Sequence, residues 1–309
     1  MNTPITRRGM LQGTAMFGLA GAAHAAQDRN KEPFLYCLNT STIRGQKLPM
    51  VQKITIASRA GYHAIEPWVN ELEQFVRDGG NLRDLGKRLE DANLRVESVI
   101  GFIEWIVDDE NRRKKALEDA RRVMDLIRQI GGRRLAAPPA GATKQADLNL
   151  LRAAERYRAL LQIVDKIGVV PMVELWGFSA CLSRLGECAF VAMESGHPQA
   201  CILADVYHLY KGGSGYDSLR LLSGAAMHVL HMNDYPANPA RALITDAHRV
   251  YPGDGVAPLE KLLRDLNTVG FRGALSLEVF NPEYWKQDAA LVARTGIEKM
   301  RALVRKAIP

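Results

Sequence analysis

One unit recurs along this chain and constrains its fold more than any other feature. A helical segment ends at Gly or Asn, a short apolar run follows, and a polar residue ends the run; the unit occupies 59–66, 92–99, 166–174 and 269–278. Gly and Asn allow the left-handed turn that stops a helix, and a short run of large apolar residues is typical of a buried parallel strand. The repeat therefore predicts helices alternating with parallel strands.

Strand-like runs number about eight, and helical spacing of apolar residues separates them, most clearly over 111–131, 148–168 and 258–270. The runs are 34–38, 64–66, 95–100, 134–137, 170–174, 200–205, 226–231 and 274–278. Alternating strands and helices predict an α/β protein with a parallel sheet. Eight such units in about 284 residues predict a closed (β/α)8 TIM barrel, a single domain over 26–309.

The first 25 residues have the three parts of an export signal. Arg7 and Arg8 form a basic start, a mild apolar stretch follows, and Ala23-His24-Ala25 is a small-residue cleavage site. Paired arginines indicate the twin-arginine route, so we expect a periplasmic or secreted protein. The apolar stretch is too short for a transmembrane helix. No cysteine lies near the cleavage site, so we expect no lipid anchor there.

The charge pattern and the cysteines narrow the function classes. The formal charge is +7, or about +5 without the two leader arginines, and basic residues are interspersed with acids. This is typical of solvated helix faces, and we expect no nucleic-acid partner. Four cysteines occur without C-x-x-C spacing, which disfavours a zinc ribbon or a redox motif. They are Cys37, Cys181, Cys188 and Cys201. We favour buried free thiols for these residues, and the sequence leaves disulfide pairing as the alternative.

Four acidic or histidine residues end successive strand-like runs in the second half of the chain. They are Glu174, Asp205, His231 and Glu278. Singly, each has an ordinary structural role, such as helix capping for the aspartate. Strand ends of a (β/α)8 barrel converge at its C-terminal mouth, so we expect the four to meet. Three carboxylates and one imidazole predict one divalent metal ion, Mn²⁺ first, with Mg²⁺, Co²⁺ or Zn²⁺ as alternatives.

Other polar residues follow the strand ends. His208 and Asp234 each lie three residues after a predicted ligand, and we expect Asp234 to orient the ligands. Arg249 begins a glycine-containing segment that suits a mouth loop, where it either binds a substrate oxygen or is an ordinary surface residue of a turn. Glu66 ends the second strand, and we expect it to contact the substrate.

Aromatic residues also follow several strands or fall in the mouth loops. They are Trp68, Phe102, Trp105, Trp176 and Trp285. Such side chains either stack on a sugar ring or pack the top of the barrel, and the sequence leaves both roles open. We assign Trp176 to substrate binding.

These residues resemble the xylose isomerase-like barrels of the sugar phosphate isomerase/epimerase superfamily, in the branch of ketose 3-epimerases, hydroxypyruvate isomerases and inosose dehydratases. The resemblance spans the mature chain and is most specific over 170–280. That family has a Glu ending strand five, Asp-x-x-His after strand six, a His ending strand seven and a Glu ending strand eight. Its Arg-x-x-Pro-Gly-x-Gly segment is matched by Arg249, Pro252, Gly253 and Gly255.

The resemblance implies a metal-dependent isomerase or epimerase that acts on a keto sugar or α-hydroxy carbonyl through an enediolate. Glu174 and Glu278 would be both ligands and the proton-transfer pair, while His208 and Arg249 would hold substrate oxygens. Dehydration shares that intermediate, so the alternative is a metal-dependent lyase acting on oxidised sugars or inositols. A non-catalytic sugar-binding barrel is the other alternative. The implied partner is a small-molecule sugar, and the sequence leaves open whether the protein forms a homo-oligomer.

Two features of the sequence argue against particular activities for this chain. The ketose 3-epimerases carry a second Glu six residues after the strand-five Glu, where this chain has Ala180, which argues against a free-ketose epimerase. A DNA-repair endonuclease of the same barrel shape would need several more clustered histidines. The chain has further histidines, but they do not form such a cluster; they are His63, His197, His228 and His248.

Overall fold

Eight parallel strands form one sheet in the computed structural model, which describes residues 32–309. The strands are β1 (Leu35–Asn39), β2 (Ala64–Glu66), β3 (Arg95–Val96), β4 (Arg134–Ala137), β5 (Val170–Glu174), β6 (Ile202–Asp205), β7 (Met227–Met232) and β8 (Ala274–Leu277). They belong to one compact unit, Phe34–Pro309. The predicted leader, 1–25, lies outside the described residues.

The sheet closes on itself. Its strand order is β3-β2-β1-β8-β7-β6-β5-β4, and the two end strands meet at a parallel bridge between Val99 and Leu135. The Val99 N–H donates to Arg134 O (3.1 Å), and the Ala136 N–H donates to Val99 O (3.0 Å). The prediction of a (β/α)8 barrel is confirmed. Only two residues of the predicted strand 95–100 form a regular ladder, because Val99 and Ile100 pair through isolated bridges.

Helices connect the strands. Those described are α1 (Met50–Ala60), α2 (Val69–Arg77), α3 (Leu82–Asp91), α4 (Glu110–Gln129), α5 (Leu150–Leu161), α6 (Val164–Ile167), α7 (Leu185–Glu194), α8 (Val206–Gly212), α9 (Leu259–Thr268) and α10 (Ala289–Ala307). Within 32–309, none of them is long and apolar enough to cross a membrane.

The recurring helix stop has the backbone that the sequence requires. Gly61, Gly168 and Gly270 have φ values of 88°, 81° and 79°, and Asn93 has φ 54°. All four lie in the left-handed region, where a residue without a Cβ, or with a short polar side chain, is least strained. Each therefore ends its helix and turns the chain into the following strand.

Two of the aromatic residues whose role the sequence leaves open pack within the protein. Trp105 is fully buried and its Nε1–H donates to Pro138 O (2.9 Å), while the Trp285 Nε1–H donates to Ser41 O (3.0 Å). Both therefore pack the barrel top. The four cysteines are free and buried, as favoured from the sequence.

Candidate active site

Alternation along the strands places the predicted ligands in one layer. Six small or apolar residues from six strands fill the barrel interior: Cys37, Ala64, Met172, Leu203, Val229 and Ala274. Side chains two residues apart on a strand share a face. The residues two positions further on are therefore aimed inward at the C-terminal mouth: Asn39, Glu66, Glu174, Asp205, His231 and Ser276. Asp205 and His231 are in register on β6 and β7, and Glu278 follows the end of β8 directly.

His231 is the centre of this layer and is completely buried. Its Nδ1 lies 3.2 Å from Glu278 Oε2, 3.6 Å from Asp205 Oδ2 and 3.6 Å from Glu174 Oε1. The structure thus brings together all four predicted ligands. In the closest trio, Asp205, His231 and Glu278, one donor atom of each lies within 4.8 Å of the others.

Glu66 lies behind the imidazole. Its Oε2 is 3.1 Å from His231 Nε2 and accepts hydrogen bonds from Ser276 Oγ (2.6 Å) and Asn39 Nδ2 (2.8 Å). A carboxylate on the far nitrogen of a ligating histidine fixes the ring and raises its basicity. We expected Glu66 to contact the substrate, but its place is on the opposite side of the histidine from the other carboxylates.

Arg249 is buried among these carboxylates, not on the surface. Its Nη1 donates to Asp205 Oδ2 and to Glu278 Oε2, both at 2.9 Å. Its Nη2 donates to Asp246 Oδ1 (2.5 Å) and lies 3.2 Å from His208 Nε2. The guanidinium therefore orients two predicted ligands, and it also borders the cavity described below.

Asp234 acts at a distance from the ligands. Its carboxylate accepts four backbone N–H groups, from Tyr235 (2.8 Å), Gly253 (3.0 Å), Gly255 (3.1 Å) and Ala257 (2.9 Å). These bonds fix the loop over 249–257. We expect Asp234 to orient the ligands, and the structure shows it bound to the loop that carries Arg249 rather than to a predicted ligand.

Asp205 has two separate roles on its two oxygens. Oδ1 accepts the His208 backbone N–H (2.8 Å) and caps α8, whereas Oδ2 faces His231. The cap uses Oδ1 alone, so the capping role leaves Oδ2 available for the predicted ligand role.

Two polar contacts were missed from the sequence. The Asn39 Nδ2 donates to Glu278 Oε1 (3.0 Å) as well as to Glu66, and the Asn233 Nδ2 donates to Asp205 Oδ2 (3.3 Å). Asn39 ends β1, so the same rule for strand ends identifies it once the first strand extends one residue past Leu38.

Negative charge is in excess at this site. Glu66, Glu174, Asp205 and Glu278 are all buried, against one buried guanidinium. Burial and the carboxylates of Glu278 and Asp205 raise the pKa of Glu174 well above its usual value. Burial lowers the pKa of His231, but Glu278 and Glu66 outweigh it and raise that pKa well above 6.5. Since buried charges need pairing or a metal, a cation is the expected complement.

The donor set fits a divalent metal ion. No hydrogen bond from any residue within 32–309 reaches the buried Nδ1 of His231. Donors bound at 2.0–2.2 Å in a tetrahedral arrangement lie about 3.4 Å apart, and the three oxygens lie 3.2–3.6 Å from that nitrogen. The oxygens that accept from Arg249 keep a second lone pair for a metal.

A cavity of about 220 Å³ opens above these groups. Its polar lining is Glu174, His208, Asp246, Arg249 and Glu278, and its aromatic lining is Trp68, Phe102, Trp176, Phe178 and Phe280. The volume is below the usual 300–1,000 Å³ of pockets for drug-sized ligands, so a small molecule fits. Ala180 is exposed and does not line the cavity.

The family follows from comparison with known proteins. A family model described as xylose isomerase-like TIM barrel matches residues 54–303, and the chain belongs to this family.

Among its relatives, the inosose isomerase of Bacillus velezensis is 24% identical over 274 residues, which are 87% of this chain and 97% of that protein. The 3-dehydroshikimate dehydratase of Pseudomonas putida is 22% identical over 255 residues, 82% of this chain and 39% of that protein. A solved structure of the IolI protein with a bound zinc atom superposes with a TM-score of 0.82, at 21% identity, over 89% of this chain and 99% of that one.

Metal binding is expected to release protons. In the metal-free protein the raised pKa values of His231 and Glu174 keep protons on these groups to higher pH, and a metal must displace them. We predict that affinity for Mn²⁺ or Zn²⁺ weakens as pH falls, about tenfold per pH unit for each proton released. Calorimetry in buffers of different ionisation enthalpy counts the protons. An affinity that does not change between pH 5 and 8 would contradict this arrangement.

The role of Glu66 behind His231 has its own test. Glu66→Gln removes the charge that fixes the imidazole, and we predict about 10- to 100-fold weaker metal affinity. Glu110→Gln, which changes an exposed carboxylate at the start of α4, is the matched control and leaves the affinity unchanged. Equal affinities for both variants would show that Glu66 has no part in metal binding.

Proposed function

We propose that this protein is a metal-dependent isomerase or epimerase acting on a keto sugar or another α-hydroxy carbonyl compound. The observation that carries the proposal is the convergence of three carboxylate oxygens, 3.2–3.6 Å away, on the buried Nδ1 of His231, which makes no hydrogen bond within 32–309. The inosose isomerase relative supports the isomerase class.

Asp205, His231 and Glu278 would hold the ion, with Glu174 as the fourth ligand. An ion bound there supplies Lewis acidity to two adjacent oxygens of the substrate. We propose Mn²⁺ from the oxygen-rich donor set, and the zinc atom of the IolI structure supports Zn²⁺ as the alternative.

Glu174 and Glu278 are held very differently. Glu278 is fixed by Asn39 Nδ2 on one oxygen and by Arg249 Nη1 on the other. The Glu174 carboxylate accepts no hydrogen bond from any other residue in the described part of the chain, and its pKa is raised well above the usual value. With the ion bound, one oxygen of Glu174 would be a ligand and the other would remain free of protein hydrogen bonds. That free oxygen makes Glu174 the better placed of the two to remove the proton next to the carbonyl.

The remaining polar groups position the substrate. Burial and the nearby Arg249 lower the pKa of His208 to about 4, so its imidazole is neutral at pH 7 and hydrogen-bonds a substrate oxygen without adding charge. Proton return to the neighbouring carbon gives isomerisation. Return to the same carbon from the opposite face, with Glu278 as the acid, gives epimerisation.

A metal-dependent lyase is the second candidate. The dehydratase relative supports it, because loss of a β-hydroxyl begins with the same proton removal.

We also propose that the protein is exported by the twin-arginine route to the periplasm or the medium, from the sequence of 1–25.

Proton exchange tests the proposal. The metal-loaded protein in D₂O should incorporate deuterium next to the carbonyl of at least one compound in a panel of keto sugars and inososes, followed by NMR. Glu174→Gln should slow exchange about 100- to 10,000-fold while the trio of Asp205, His231 and Glu278 still binds the metal, more weakly, whereas Asp205→Asn breaks the trio and should lose both. A conjugated enone, detected by ultraviolet absorbance, identifies the lyase. A metal-loaded protein with no exchange on any compound contradicts enolisation.

A further inference from the structure

The polar groups of the cavity are joined to one another. Glu174, His208, Arg249 and Glu278 form one connected cluster around His231, and Asp246 is paired with Arg249. Three aromatic residues of the lining lie beside this cluster, and we call them the aromatic rim: Phe102, Trp176 and Phe178. Phe178 reaches the cluster, because its ring centroid is 5.8 Å from that of His208. No titratable group of the cavity lining belongs to this rim.

The rim is a continuous aromatic surface that is open to solvent. The Phe102 and Trp176 rings meet edge to face with centroids 5.2 Å apart, and the Trp176 and Phe178 rings stack at 5.3 Å. Both phenylalanines are 51% exposed. Trp68 packs edge to face against Phe102, with ring centroids 5.5 Å apart. It is engaged already, because the Arg44 guanidinium lies 3.9 Å over its ring and its Nε1–H donates to Asn39 Oδ1. Grouped, exposed apolar surface beside a cavity marks a binding site.

A free sugar gains little from this rim. It carries a hydroxyl on nearly every carbon, and each hydroxyl that faces the rim exchanges water for an apolar ring. Among its side chains the rim offers a single donor, the Trp176 Nε1–H, and no acceptor. A flat apolar group instead gains aromatic contact, stacked or edge to face, with the exposed rings of the rim.

We propose that the aromatic rim binds a flat apolar substituent of the substrate, so that the substrate class is a keto sugar or keto cyclitol bearing an aromatic group. The α-hydroxy carbonyl end lies at the carboxylates, as in the proposed function on which this inference rests. The aromatic group lies against the exposed faces of Phe102 and Phe178.

Matched ligands test the rim without depending on turnover. The phenyl and methyl glycosides of one hexose lack the reactive carbonyl, and their affinities for the metal-loaded protein are measured by calorimetry. We expect the phenyl glycoside to bind about tenfold more tightly, a difference of about 1.4 kcal/mol. Phe102→Ala and Phe178→Ala should bring the ratio close to one. Phe190→Ala, a half-exposed phenylalanine on α7 outside the cavity, should keep it. Equal affinities for wild-type protein overturn the inference.

The corresponding 3-keto glycosides, tested for deuterium exchange, separate the two proposals. A phenyl preference without exchange keeps the rim and rejects the enolisation chemistry. Exchange with equal KM values for the phenyl and methyl compounds keeps the enolisation chemistry and rejects the rim as a binding site. Sedimentation of the Phe102→Ala and Phe178→Ala variants identifies the competing occupant. If they change self-association and leave the affinity ratio intact, the rim is covered by a second copy of the chain, and the inference is wrong.

Discussion

The mouth of this barrel is organised by one buried imidazole among four buried carboxylates. His231 has one nitrogen on Glu66 and the other facing Glu174, Asp205 and Glu278. One guanidinium offsets one negative charge, which leaves an excess of three when the imidazole is neutral. Because uncompensated buried charge is strongly destabilising, the surrounding structure is built to hold it. Arg249 bridges two carboxylates, Asp234 fixes the loop that carries Arg249, and a divalent cation would neutralise most of the remainder.

Much of this could be predicted from the sequence, because the information is local. A short apolar run that ends in a polar residue predicts a strand end, and the strand ends of a closed barrel meet at its C-terminal mouth. Glu174, Asp205, His231 and Glu278 were found in this way, and Asn39 was missed because the first strand extends one residue further than its apolar run.

The roles of Glu66, Asp234 and the aromatic residues could not be predicted in the same way. Glu66 ends a strand as the predicted ligands do, but the side of His231 on which it lies depends on how the closed barrel brings β2 near β7. Asp234 binds backbone groups of a loop whose path is not encoded in local pattern. Trp105 and Trp176 both follow strands, yet one is packed against Pro138 and the other lines the cavity. Such differences arise from loop paths, which involve residues far apart in sequence.

The most direct test of the account is anomalous diffraction from crystals grown with Mn²⁺ or Zn²⁺. The account predicts one strong peak about 2.0–2.2 Å from His231 Nδ1, with Asp205 and Glu278 as further ligands and Glu66 still on Nε2. A peak elsewhere, or no peak together with a hydrogen bond from His231 Nδ1 to water or to a carboxylate, would contradict a metal at the centre of this site.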